Sequence, residues 1–537
     1  MVNQNSLLQY TLLTVYTCSF VDLVDCSSVE EKRRLIHHRI LELTRQLNEL
    51  APISKLPPEL LSRIFEFVLP SAPQDRPFFD PRTSLNFTYV CHRWRSVALN
   101  TPQLWRKLPL SYREWTQVML ERSKRSDLVI ELDCLDIGGF RLQSSWASLR
   151  RLKQVIAEHP DRIREIKLLG AFVSELKYLL EVIPDFSLRL TSLVLSAPIG
   201  QNYAVPINIL ADIHCLKHLH IIRIHFPWYS QPLRALTYLA VSFPPQPPPM
   251  DLFCAALRAM PTLEVLDLHR SLPTTYKASI IEPISLRNLQ RLCLTSIDGL
   301  QSLSNVLSII VVPLETIVSL IYKGPVHEKN HLTQFSSSLA QFFSAMGFEE
   351  SKKQSYRRLA INKDLSLSFF CDDWTHTANF KLEFPPFLET VVPSVPLQDL
   401  SSLSLSCRIP AQTFITCFGN WQHLEHITFC EDGIVGWNEA VRTINSMGLE
   451  TLAEAVAFPS LRSISMSGAT SGDEKGIDFK AFESWLRNRN KRNIGLRKLT
   501  LSSCCNINEV KVQSLRGLVD DVDWDGYMGG VIRIPRA

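Results

Sequence analysis

The chain has 537 residues, 45% of them hydrophobic, and 57 basic against 53 acidic side chains give a net charge of +4. So much apolar material excludes disorder as the default, and the length leaves room for a small module beside a large domain. Near-balanced charge gives no reason to expect a polyanion as the main ligand, so neither nucleic acid nor a membrane surface is an expected partner.

Thirteen cysteines are scattered, odd in number and never spaced C-x-x-C. A disulfide or zinc framework needs pairing or tight ligand spacing. Free, mostly buried thiols in a reducing compartment fit better, and a cytoplasmic or nuclear location follows as the expectation. No uncharged apolar run approaches the roughly 20 residues of a spanning helix. The nearest, around Ser308 to Leu314, is short and broken by Pro313.

Residues 1–28 form a leader with no charged side chain in the first 21 positions. Without an early Lys or Arg, and laced with Asn, Gln, Ser and Thr, it lacks the pattern of a signal peptide and is expected to be poorly ordered. Residues 29–50 then read as one helix. Ile36, Ile40, Leu43, Leu47 and Leu50 alternate by four and three, a heptad seam flanked by charge. Packing on a neighbour in its own chain is the expected use of that seam; a short coiled coil with another chain is the alternative.

The stretch 51–112 holds the next helices. Leu56-Pro57-Pro58-Glu59 places prolines where a helix starts, with Glu59 in a first turn that favours negative charge. Leu60, Leu61, Ile64, Phe65 and Val68 then recur at helical spacing as one apolar stripe, and Pro70 stops the helix. Leu85, Tyr89, Val90, Trp94, Val97 and Ala98 repeat the logic before Thr101-Pro102 breaks it. Helices of about a dozen residues cannot bury both apolar faces alone, so such a unit wants a partner.

This stretch resembles the F-box-like domains found in large numbers in fungal proteins. Leu56-Pro57-x-Glu59-Leu60, Ile64-Phe65, Val90-Cys91-His92-Arg93-Trp94 and Pro102-x-Leu104-Trp105 carry the resemblance, which departs from a compact F-box at the Pro-rich insertion Ser71 to Thr83. What it implies is docking onto a Skp-type adaptor that bridges to a cullin-RING ubiquitin ligase. The implied adaptor-binding residues are Leu56, Pro57, Glu59, Leu60, Ile64, Phe65, Val90, Cys91, Trp94, Leu104 and Trp105.

From 113 to 537 the chain repeats. After a helix over Trp115 to Arg125 and a strand at Asp127-LVIELD, the unit apolar-x-x-apolar-x-apolar appears as Ile163-RE-Ile166-K-Leu168 and recurs through Leu496-RK-Leu499-T-Leu501. Centres at 166, 193, 219, 239, 266, 292 and, more weakly, Ile317 are separated by 27, 26, 20, 27, 26 and 25, close to a leucine-rich-repeat period. In such a repeat the apolar positions point into a solenoid and the residues between them face its concave surface. Helices are predicted over Leu252 to Met260 and Leu332 to Met346. The period is lost between about 320 and 400, so insertions are expected there, and Glu431 to Ser446 and Thr470 to Gly476 are expected to be loops. Leu515-RGLVDDVDWDG is expected to be an acidic cap.

One catalytic-looking string is His327-Glu328-Lys329-Asn330-His331; on a helix, two histidines at this spacing can bind one zinc with the glutamate as general base. Gly324-Pro325 puts it at the first turn of a helix, and His331 leads the stripe Phe335, Leu339, Phe342, so core packing is the expected role. A zinc hydrolase there is a minor alternative. The basic run Arg487, Arg489, Lys491, Arg492, Arg497 and Lys498 lacks interleaved aromatics and is expected to be a solvated turn. No catalytic residue, cofactor or metal site is expected.

The fold class is therefore an α+β to α/β repeat: a helical F-box-like module followed by an irregular leucine-rich-repeat solenoid. The function expected is a non-enzymatic substrate receptor of an SCF-type ubiquitin ligase, with a Skp-type adaptor, through it a cullin, and a protein target as partners. The alternative is an interaction scaffold whose helices only cap the solenoid. Exposure of the Leu56 stripe discriminates the two.

Overall fold

A computed structural model describes residues 28–69, 85–134, 145–182, 189–200, 203–204, 213–228, 234–273, 282–297, 299–324, 329–347, 356–364, 366–371, 380–383, 388–446, 457–469, 476–505 and 507–527. The chain divides into two compact units, Met1–Lys167 and Leu168–Ala537. The leader (Ser28 apart), the insertion Ser71 to Thr83 and most of the loop expected over Thr470 to Gly476 lie outside the described residues.

In the first unit, α1 (Val29–Glu49) starts at Ser28, whose hydroxyl accepts the Glu31 N–H at 3.2 Å. Its seam corrects one expectation. No residue of α1 is buried, and Ile36, Ile40, Leu43 and Leu47 are all exposed. Heptad spacing specifies a stripe, not what covers it. Next come α2 (Pro58–Val68), a 3-10 turn (Asn86–Tyr89), α3 (His92–Leu99), a second such turn (Pro102–Trp105) and β1 (Lys107–Leu108). After α4 (Arg113–Ser123), β2 (Leu128–Asp133) pairs parallel to β1, and α5 (Ser145–Glu158) leads into β3 (Ile163–Leu169).

The second unit is a large, mostly parallel sheet with interspersed helices, consistent with a repeat solenoid. After α6 (Val173–Val182), β4 (Ser192–Ser196), β5 (His218–Ile222), β6 (Tyr238–Ser242) and β7 (Val265–His269) pair side by side, with α7 (Met250–Arg258) between the last two in sequence. The two-residue strands β8 (Ile284–Ser285) and β10 (Ile310–Val311) pair apart from this sheet. The main array continues through β9 (Arg291–Ser296), followed in the chain by α8 (Leu300–Leu307), and then β11 (Ile317–Tyr322). Leu193, Leu219, Leu239, Leu266, Leu292 and Val318 stand in register across these strands, each essentially excluded from solvent. Each such side chain contributes about 1.5–3 kcal/mol through burial.

A repeated turn follows the strands. Arg223, Phe243 and Arg270, directly after β5, β6 and β7, all take positive φ (58°, 53° and 53°). Each N–H donates to the next strand, to Ser242 O, His269 O and Thr295 O. A non-glycine residue in this region costs free energy, so its recurrence marks one backbone unit used several times.

The weak seventh copy is one residue out of step. Ile317 was expected to point inward, yet it is exposed, while Val318 and Leu320 are buried in register with Leu292 and Leu294. A slip of one residue along a strand reverses every side chain, which is why the Leu314-based pattern looked faint.

Where the period fades, the strand order changes. Beyond α9 (Lys329–Ala345), β12 (Arg358–Ile361) runs antiparallel to β13 (Leu367–Phe370), which runs antiparallel to β14 (Phe380–Glu383). β14 sits beside β11 in parallel, and β12 sits beside β15 (Ser402–Leu405) in parallel. The spatial order β11-β14-β13-β12-β15 thus keeps the sheet continuous while the chain doubles back. From β15 the order is regular again through β16 (His426–Cys430), β17 (Ser463–Ser467), β18 (Lys498–Ser502) and β19 (Asp521–Trp524).

Two further expectations are corrected. Glu431 to Ser446 is not a loop but α11 (Asp432–Ser446), which follows α10 (Ala411–Phe418). Its glycines serve close packing, since a Cβ at Gly433 would lie 2.3 Å from Leu405 O. Gly433→Ala is therefore expected to cost about 1–3 kcal/mol despite alanine's better helix propensity. A lower urea midpoint would show it; an unchanged or raised midpoint would refute the close-packing account. Nor is Arg489, on α12 (Phe479–Lys491), solvated: it is buried, donating to Phe458 O at 2.9 Å and Leu461 O at 3.1 Å, with its guanidinium 4.9 Å from the Trp485 ring centroid. Burial pulls its pKa down to about 10. Finally, α13 (Glu509–Arg516) precedes β19, whose Asp521 and Asp523 are exposed.

Candidate functional site

Two places concentrate unusual chemistry. In the first unit, α2 is apolar on two faces rather than one. Leu61 and Phe65, four apart, are buried, and Phe65 stacks on Phe87 (centroids 4.5 Å, 9° between planes) and tilts against Trp94 at 5.2 Å. Leu85, Ala98, Leu104 and Trp105 complete this core, and the Trp105 indole donates to Ala98 O at 2.8 Å. The Arg122 guanidinium lies 4.4 Å from the Trp105 ring centroid. Arg93 reaches back to donate to Leu56 O, and the Cys91 thiol caps α3 by accepting the Trp94 N–H at 3.5 Å.

Among the described residues the adjacent face of α2 has no such cover. Leu60, Ile64, Phe67 and Val68 are 53%, 36%, 87% and 61% exposed, at positions one helix face shares. Tyr89 and Val90, just before α3, are also exposed. Of the eleven residues implied as adaptor-binding, Phe65, Leu104 and Trp105 are buried, and Leu56, Cys91 and Trp94 are partly buried. Pro57, Glu59, Leu60, Ile64 and Val90 are exposed. Phe67 and Tyr89 join them although the motif did not single them out for docking. For Phe67 the signal was an apolar residue outside the stripe read on α2.

The second place lies in the sheet of the second unit. Register puts His220, Ala240, Asp267, Cys293 and Ser319 in one row across β5, β6, β7, β9 and β11, on the face opposite the buried leucines. His269 follows Asp267 by two residues, so its side chain shares that face. His269 Nε2 stands 2.9 Å from Asp267 Oδ1 but not in hydrogen-bond alignment, and that oxygen is buried with no donor among the described residues. The Cys293 Sγ lies within 4.8 Å of the same carboxylate.

Burial, with Asp267 adding to it, pushes the Cys293 thiol up to about 12. Burial pulls His220 down to about 4, although Asp267 opposes it, and its Nε2 lies 3.4 Å from Ser242 Oγ. A Cys-His-Asp nucleophile needs a lowered thiol pKa and an imidazole set to take its proton. Here burial and the neighbouring Asp267 carboxylate favour the protonated thiol instead.

His327 and Glu328 lie outside the described residues, and His331 is partly buried in the first turn of α9. The described cysteines are free thiols. Among the described residues no helix is long and apolar enough to cross a membrane.

The F-box-like family profile matches residues 53–111. An F-box-like domain occupies that stretch. No curated protein matches the chain. Among solved structures, the crystal structure of the Rad7 and Elc1 complex in yeast is similar at 14% identity and a TM-score of 0.25, covering 84% of this chain and 98% of that one.

Proposed function

We propose that the chain is a non-catalytic substrate receptor of an SCF-type cullin-RING ubiquitin ligase, working in the cytoplasm or nucleus. Its F-box-like helices hold a Skp-type adaptor, through which a cullin is reached. A protein target binds the open face of an irregular leucine-rich-repeat array. Ubiquitin transfer is left to other subunits.

The observation that carries this reading is the outward stripe Leu60, Ile64, Phe67 and Val68 on a helix whose inner face already completes a core. Helix-in-groove recognition uses such anchors at i, i+4 and i+7 spacing. The scaffold reading, in which these helices only cap the array, requires the stripe to be covered, and its exposure counts against it.

Leu60→Asp/Ile64→Asp in the full chain is expected to reduce recovery on an immobilised Skp-type adaptor at least tenfold, the loss of two interface anchors. Unchanged circular dichroism would show the fold intact. Recovery equal to wild type would contradict the docking claim.

A further inference from the structure

We propose that Asp267, His269 and Cys293 form a binding site for a divalent transition-metal ion of the zinc class, on the open face of the second unit's sheet. Each residue offers one ligand atom, and these atoms all lie within 4.8 Å of one another. The sheet register brings them together: Asp267 pairs with Cys293 and His269 with Thr295, so adjacent parallel strands present the three side chains on one surface.

The donor set selects the metal. A thiolate, an imidazole nitrogen and one carboxylate oxygen suit zinc, whereas magnesium and calcium take oxygen ligands. Zinc bonds of about 2.0–2.3 Å put tetrahedral neighbours roughly 3.3–3.8 Å apart, so side-chain rotations of about an ångström close the site. Asp267 Oδ1 is the second pointer. Among the described residues it is buried without an aligned hydrogen-bond donor while facing a ring nitrogen at 2.9 Å, an arrangement that a shared cation satisfies. All three residues remain partly exposed, which gives an ion access.

On binding, the Cys293 S–H bond breaks, its proton goes to solvent, and a metal–sulfur bond forms with no change of oxidation state. Three protein ligands leave a fourth position open to water or to a donor atom of a bound molecule. His220 lies in the same row, one strand beyond the small Ala240. None of this depends on adaptor docking, which involves other residues in the other unit.

The test uses the full chain, stripped with a chelator and titrated with Co(II) and then Zn(II). One equivalent of Co(II) is expected to bind with a thiolate-to-metal charge-transfer band, and Zn(II) should abolish that band. Cys293→Ser should remove the band, and His269→Gln should weaken Zn(II) binding at least tenfold. Cys215→Ser, an exposed thiol elsewhere, should change neither. Absence of the band in the wild-type chain, or its persistence in Cys293→Ser, overturns the proposal. Circular dichroism checks the variants, and if Cys293→Ser misfolds, the wild-type titration with His269→Gln decides.

Discussion

Replacing Trp437 with alanine is expected to lower the stability of the second unit by about 3–5 kcal/mol. Trp437, on α11, is essentially excluded from solvent and stands at the centre of an aromatic cluster. It stacks on Phe429 of β16 at 4.8 Å, meets Phe414 of α10 edge-on at 6.2 Å and meets Trp485 of α12 edge-on at 5.1 Å. Phe458 and Phe482 close the ring of contacts. One side chain thus ties a strand to three helices from successive parts of the array. Alanine would leave a cavity larger than the surrounding backbone can collapse into, and the edge-to-face terms would be lost with it. Trp437→Phe keeps an aromatic body in the site and should lose distinctly less. Urea denaturation followed by circular dichroism measures both; an alanine variant as stable as wild type would mean that the cluster does not hold these elements together.

The second large effect separates the two faces of α2. Phe65→Ala should cost the first unit about 3–5 kcal/mol, because Phe65 is fully buried between Phe87 and Trp94. Phe67→Asp, two residues away on an exposed position, should change stability by no more than about 0.5 kcal/mol. The adaptor assay should respond to both for different reasons: Phe65→Ala loses the scaffold, Phe67→Asp loses the surface. Limited proteolysis distinguishes them. Rapid cleavage within Pro58–Val68 or His92–Leu99 is expected for Phe65→Ala alone, and equal susceptibility of these helices in the two variants would contradict the inside–outside assignment.

Much of this architecture was legible in residue order. The Leu-x-x-Leu-x-Leu units from 190 to 294 become strands because their apolar positions alternate on one face, and Leu219, Leu266 and Leu292 are buried where that pattern put them. The segment from 320 to 400 was not legible. Leu359 and Ile361 have the right alternation, but nothing local reveals that β12 pairs with β15 while β14 returns to β11. Pairing partners are chosen by tertiary packing. Nor does residue order show that Gly433 and Gly436 stand in close backbone contact, since a loop calls for the same residue.

The candidate sites divide along the same line. Helical spacing located the α2 stripe but merged its two faces, since Leu60, Leu61, Ile64 and Phe65 all satisfy an apolar pattern. Only the positions of Phe87 and Trp94 show which pair turns inward. Asp267, His269 and Cys293 belong to no spaced motif. They meet because Leu266-D-Leu268-H and Leu292-C-Leu294 are consecutive units whose outward residues fall side by side. Comparing outward positions between neighbouring units, rather than searching for ligand spacing within one segment, would have found them.

The most direct test of the central claim is amide hydrogen exchange on the full chain with and without a Skp-type adaptor. Slower exchange is expected across Pro58–Val68 and His92–Leu99, with β15 to β18 unaffected. Adaptor present in saturating amount with no protection of Pro58–Val68 would contradict the account.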